Sequence, residues 1–310
     1  MLAILQIVLP VFLVIAAGYI AGYKKAFSNA QASALMRFAT QFAIPCLLFL
    51  AIARLDLATV FKPNVLFPFY LGASTSFVLT VLGAWFIFKH KPGACIAIGF
   101  AALFSNSVLI GISIVELAYG DAALETAFAV VAIHAPFGYI LGIISMEFCR
   151  ADGLGFTATL KTAAKQIFSN ALTLGLIFGF IVNLSHLSLP QPLTTAIELM
   201  ARASLPAALF GLGAILVGYK MTSGFGEVAM ISVNKLVLHP GIAFVLCRFV
   251  FQLPDELLKP IVVMAAMPPG INAYVFANMY NRAENIAASA VLFATAISIL
   301  SISAWLIFLS

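Results

Sequence analysis

Phe104-Ser105-Asn106-Ser107-Val108-Leu109-Ile110-Gly111-Ile112-Ser113 and Met267-Pro268-Pro269-Gly270-Ile271-Asn272-Ala273-Tyr274 decide how this chain folds. Each is a polar break near the middle of an apolar segment, and the two lie at matching places in the two halves. A simple anchor would be better served by an uninterrupted helix. A break exposes backbone N–H and C=O groups that lipid cannot satisfy, so they must face protein, water or a solute. Paired interruptions in corresponding halves point to the binding site of a transporter.

The rest of the chain agrees with a membrane setting. Hydrophobic residues make up 63% and charged residues 9%, with a mean hydropathy of +1.12. A soluble domain carries about 25% charge. Apolar segments run over residues 3–22, 31–53, 64–88, 94–117, 124–148, 168–186, 194–218, 229–252, 258–280 and 286–309. At about 20 residues per span, this predicts ten transmembrane helices. The class is therefore an all-α polytopic membrane protein.

Basic residues set the expected orientation. Odd-numbered loops hold Lys24, Lys25, Lys89, Lys91, Arg150, Lys161, Lys165, Lys220 and Arg282, whereas even-numbered loops hold Arg54, Lys62 and Lys259. Nine against three places the odd loops in the cytoplasm and both termini outside it. The net charge of +5 reads as a topology signal and not as a nucleic-acid footprint. The first span has lysines after it and none before it, the reverse of a cleaved signal sequence. Cys46, Cys95, Cys149 and Cys247 are scattered, without metal or disulfide spacing. No metal or other cofactor is expected.

An internal repeat is visible. Ala43-Ile44-Pro45-Cys46-Leu47-Leu48-Phe49 in span two matches Ser204-Leu205-Pro206-Ala207-Ala208-Leu209-Phe210 in span seven, both reading Pro-x-x-Leu-Phe. Ala101-Ala102 and Ala265-Ala266 precede the two breaks. Five spans per half is an odd number, so two such halves in series must have opposite orientations, an inverted repeat with its site near the midplane. The halves are residues 1–148 and 168–310, joined by a cytoplasmic linker at 149–167. Pro45 and Pro206, at equivalent positions, read as kinks shaping a cavity wall or as ordinary proline kinks.

The second break resembles the ninth-span motif of the auxin efflux carrier family, whose bacterial branch is often labelled as malonate-type organic-acid carriers. Ser105-Asn106-Ser107-x-x-x-Gly111-Ile112-Ser113 resembles the fourth-span motif, usually written Gly-Asn-Thr-x-x-x-Gly-x-Pro, and Leu205 to Gly213 and Leu238-His239-Pro240 also fit. The resemblance covers essentially the whole chain. It implies ten spans in two inverted five-span repeats and a fold similar to sodium/bile-acid symporters. It further implies that spans four and nine are broken at a crossing point. A transport domain (spans three to five and eight to ten) would move against a scaffold (spans one, two, six and seven), often within a homodimer. The chain departs from the pattern at Ser105, Ser113 and Ala273, where the family carries glycine, proline and, in plants, proline. Those departures put auxin itself in doubt as the substrate.

Asn106 and Asn272 are the leading site candidates. An amide both donates and accepts, so it can bind a carboxylate or cap an unwound helix end. Ser105, Ser107 and Ser113 are weaker candidates, because a serine in a helix often bonds its own preceding carbonyl. Gly111, Pro268, Pro269 and Gly270 shape the irregular backbone, and Tyr274 and Asn278 follow at helical spacing. His134, inside span five, is either a functional ionisable group or a histidine bonded to a neighbouring span. His239 reads as a partner for a carbonyl freed near Pro240. Half-helix N-termini at the breaks would attract an anion without a buried cation. Arg37, Glu198, Arg202, Lys235 and Arg248 are read as span-end residues that snorkel to the interface. Glu116 reads as outward-facing with Asp121 and Glu125, and Trp85 and Trp305 as interfacial anchors.

The expected function is a secondary carrier in the plasma membrane for a small organic anion, with coupling to a proton or sodium left open. No His-Glu-x-x-His, nucleophile elbow or intramembrane aspartyl pair points to an enzyme. A channel would need a continuous polar pore, whereas the polar residues here cluster at two midplane breaks.

Overall fold

The computed structural model describes residues 2–149, 161, 164–165, 168–220 and 224–310. The linker expected at 149–167 lies almost wholly outside the described residues. Twelve helices of eight residues or more organise the rest, beside a single short turn of helix at Leu57–Val60. They are α1 (Leu2–Tyr23), α2 (Asn29–Arg54), α3 (Pro63–Phe86), α4 (Pro92–Leu103), α5 (Ser107–Tyr119) and α6 (Asp121–Cys149) in the first half. In the second half they are α7 (Ala171–Ser185), α8 (Gln191–Leu216), α9 (Phe225–Val250), α10 (Asp255–Ala265), α11 (Asn272–Met279) and α12 (Glu284–Leu309). Among the described residues, β pairing is confined to a single antiparallel bridge, Ser105 with Pro269.

Seven of these helices are long and apolar enough to cross a membrane unaided, whereas α4, α5 and α7 are shorter apolar helices. The count differs from ten for a local reason. The segments expected as spans four and nine are each divided at their breaks, into α4 with α5 and α10 with α11, and α7 is only 15 residues long.

The chain divides into two compact units. One comprises Leu9–Thr59 and Ala164–Gly218. Small residues set its packing, as is common where helices meet in lipid. Gly18 lies against the Phe210 backbone, and Gly175 against the Pro45 backbone. The Asn183 amide donates to Ile52 O (2.9 Å) and Leu55 O (2.8 Å) at the C-terminal end of α2, where helical N–H partners run out. Arg54 and Glu198 pair at 2.6 Å on its exposed edge.

The other unit comprises Met1–Val8, Val60–Ala163 and Tyr219–Ser310, and holds both breaks. Its core joins Phe77, Phe100, Phe104, Tyr139 and Phe276. The rings of Phe100 on α4 and Phe276 on α11 stack with centroids 3.9 Å apart, so the two divided segments are packed together before their backbones meet.

Candidate functional site

Pro268 and Pro269 explain the second break. Neither has an N–H to continue α10, and a proline pushes the residue before it towards extended backbone. At the first break α4 ends at Leu103, and Phe104 is extended (φ −89°, ψ 104°). The two extended strips run antiparallel. Asn106 N–H donates to Pro268 O at 2.8 Å, and Gly270 N–H donates to Phe104 O at 2.9 Å. Each break thus supplies the partners the other lacks. Residues 101–107 and 261–270 are buried throughout.

His134 on α6 completes the backbone accounting. Its Nε2 accepts the Ser105 N–H at 3.0 Å, and its ring packs on Phe104 with centroids 4.7 Å apart. Because Nε2 accepts, the neutral ring carries its hydrogen on Nδ1. That Nδ1, the Asn106 Nδ2 and the Ser107 Oγ are all buried without a hydrogen-bond partner among the described residues. Asn106 makes no side-chain cap; its backbone carbonyl accepts from Ile110 and Gly111 instead. A buried unpaired polar group of this kind costs about 1–3 kcal/mol and calls for an explanation.

The other candidates sort by position. Asn272 opens α11 half-buried, and Ile271 before it makes no side-chain cap. Gly111 lies in a π-helical turn, close enough to Met264 that an added Cβ would sit 2.8 Å from its sulfur. Ser113 bonds back to Leu109 O at 3.1 Å. Tyr274 is half-buried beside Tyr219, centroids 5.2 Å apart. Asn278 is exposed and donates to Glu284 at 3.1 Å, so it does not line the break. Glu116, Asp121 and Glu125 are exposed. Pro45 and Pro206 belong to the other unit.

Lys235 overturns its expected place at a span end. It is fully buried. The helix begins at Phe225, earlier than the apolar pattern suggests, so Lys235 is ten residues in. At about 1.5 Å per residue that is roughly 15 Å along the helix from its first residue. Its Nζ donates to Ser105 Oγ, to His239 Nδ1 (2.6 Å) and, at longer range, to Ala265 O (3.4 Å). A buried lysine amine therefore stands at the breaks, where half-helix ends without a basic residue beside them were expected. Among the described residues, no carboxylate lies within 4.0 Å of it.

His239 holds that lysine. Its Nε2 donates to Phe69 O at 2.9 Å, which leaves Nδ1 as the acceptor for Nζ. The approach depends on Gly72, where a Cβ would lie 2.8 Å from the histidine ring. The surrounding turn, Asn234–Leu238, is π-helical. Pro240 has no N–H for Leu236 O, and the Trp305 indole N–H takes that carbonyl at 2.9 Å. Trp305 is thus a structural donor to α9, and not only an interfacial anchor. The signal for this cluster was available in the sequence as Lys235 and His239 at i, i+4 before a proline, a spacing that puts both on one helix face.

Comparison with known proteins agrees with this architecture. Residues 3–306 match the family described as "Membrane transport protein". The "Uncharacterized transporter YfdV" of Escherichia coli (strain K12) is 25% identical, over 88% of this chain and 87% of the relative. "Auxin efflux carrier component 5" of Arabidopsis thaliana is 22% identical, over 96% and 93%. A "Putative malonate transporter" of Rhizobium meliloti (strain 1021) is 21% identical, over 98% and 95%. With a match along nearly its whole length and two interrupted apolar helices paired in the protein interior, the chain belongs to the membrane transport protein family of the auxin efflux carriers.

Proposed function

We propose that the protein is a secondary carrier that moves a small organic anion, a mono- or dicarboxylate, across the plasma membrane. The observation that carries this reading is a set of buried donors with no acceptor. Asn106 Nδ2, Ser107 Oγ and His134 Nδ1 all lie on residues within two positions of Ser105 or bonded to it, and Ser105 also holds Lys235. A carboxylate offers several acceptor sites and a negative charge, and would offset the cost of leaving those donors dry. The N-terminal ends of α5 and α11 add favourable partial charge. The name of the Rhizobium relative supports the same substrate class.

In this reading the ten spans form two inverted five-span repeats with both termini outside the cytoplasm. The same interval separates Lys25 from His186, Pro45 from Pro206, and Gly120 from Asn281, and the non-proline and glycine members of these pairs have positive φ. That regularity supports duplication. The unit with both breaks acts as the transport domain and moves, elevator-fashion, against the unit of Leu9–Thr59 and Ala164–Gly218, within a homodimer. Reconstitution into liposomes with jumps of malonate, other small dicarboxylates and indole-3-acetate tests the reading. A saturable signal with counterflow is expected. A sustained, non-saturating current would replace the carrier with an anion channel.

A further inference from the structure

We propose that Met264 and Met267 determine the specificity of the crossing: the first break grips one carboxylate, and the two thioethers receive the carbon body of the solute and set its length. The inference rests on the carrier reading and narrows its substrate to an acid with one carboxylate and an apolar aliphatic body.

The crossing is polar on one side only. The first break contributes Ser105, Asn106 and Ser107, whereas Ala266, Met267, Pro268, Pro269 and Gly270 of the second carry no side-chain hydrogen-bond donor. The two prolines also lack a backbone N–H. The unpaired donors follow that division, with Asn106 Nδ2 and Ser107 Oγ on the first break and His134 Nδ1 beside it. Lys235 Nζ is already engaged with Ser105 Oγ, His239 Nδ1 and Ala265 O. One carboxylate is therefore provided for. A second would be desolvated against thioethers and prolines without a partner, which is costly for an ion.

Gly111 joins the two sides. Its N–H donates to Asn106 O at 3.1 Å, across the π-helical turn Ser107–Gly111. A Cβ built on it would lie 2.8 Å from Met264 Sδ and 3.2 Å from Met267 Cγ. Both methionines are fully buried. One turn of backbone thus has the unpaired donors at its start and the two thioethers against its end. Methionine suits that place. Its side chain is unbranched, with three rotatable bonds and a polarizable sulfur, so it fills an irregular gap and gives way to an incoming carbon chain. How far the two side chains can retreat into a core packed as densely as an organic crystal sets the longest chain accepted.

The test uses the full-length protein in liposomes, with protein-free liposomes as the blank, and a series of 2-oxo acids that stay ionised and do not leak as neutral molecules. The series is pyruvate, 2-oxobutyrate, 2-oxopentanoate, 2-oxohexanoate and 2-oxooctanoate. 2-Oxoglutarate, which has a carboxylate where 2-oxopentanoate has its methyl group, is the matched dicarboxylate. Wild type is expected to favour 2-oxopentanoate over 2-oxoglutarate by about tenfold or more and to fall off sharply beyond one chain length. Met264→Ala and Met267→Ala are expected to move that fall-off to longer acids, a gain of about fourfold for each further methylene accommodated. Gly111→Ala, which adds a methyl group to the same space, is expected to move it to shorter ones. A preference for 2-oxoglutarate would overturn the proposal. So would an unchanged length profile in the folded variants, or an equal loss for every acid, which would make the methionines merely structural. If Met264→Ala does not fold, Met267→Ala and Gly111→Ala carry the test. If wild type moves none of the acids, thermal unfolding in detergent with the same series decides. Stabilisation that follows chain length and shifts with the variants keeps the assignment and ends the carrier reading, whereas no stabilisation by any acid overturns both.

Discussion

Asn106 N–H and Pro268 O meet at 2.8 Å, and this one hydrogen bond joins two chain segments that lie far apart in sequence and deep in the membrane unit. Backbone left open by one broken helix is closed by the other. The irregular stretches therefore need neither lipid nor bulk water, and under the proposed carrier reading the side chains beside them would meet the solute.

Asn106→Ala should fold as well as wild type and transport poorly. Its Nδ2 has no partner to lose, so thermal unfolding should barely move. Loss of a donor to a carboxylate should cost about 1.5–3 kcal/mol, or roughly ten- to a hundredfold in transport. Asn272→Ala should behave alike. Uptake at the wild-type rate in either folded variant would remove that asparagine from the site.

His134→Phe should destabilise the unit that holds both breaks. The Ser105 N–H would lose its acceptor inside the buried core, a penalty of about 1–3 kcal/mol. His134→Gln, which offers a carbonyl oxygen, should recover part of it. Thermal unfolding in detergent reads the difference. Equal stability of the Phe and wild-type proteins would mean that Ser105 finds another acceptor.

Gly18 and Gly270 reverse a natural expectation. Position in a break suggests that Gly270 is the more sensitive of the two. A Cβ at Gly270, however, would meet its nearest neighbour at 3.4 Å, an ordinary contact, whereas one at Gly18 would overlap the Phe210 carbonyl oxygen. Gly18→Ala should therefore lower the yield of folded protein, and Gly270→Ala should not. Size-exclusion profiles of the two variants check this directly.

Trp305→Phe should weaken α9 near Lys235. The Leu236 carbonyl, to which Pro240 offers no N–H, would lose the indole donor, at a cost of about 1–3 kcal/mol. Hydrogen exchange at residues 234–240 should rise. Unchanged protection there would show that the carbonyl is satisfied from elsewhere.

The sequence by itself determined the class and the place to look. Apolar length and sparse charge require membrane helices, because only a helix satisfies its backbone without help from solvent. Asn106 and Pro268-Pro269-Gly270 marked the breaks, because polar and N–H-lacking residues cannot extend an apolar helix quietly. These signals are local, carried by a few consecutive residues. Tertiary structure alone decided what the breaks contain. Lys235 looked like a span-end lysine, since its apolar neighbours did not reveal that α9 starts at Phe225. Its partners Ser105 and Ala265 are far from it in sequence, and Gly72 and Trp305 matter only through the backbone they let in or satisfy. Local pattern reports which groups a helix cannot satisfy, whereas packing decides which distant groups satisfy them. The buried lysine at the crossing belongs to that second kind of information.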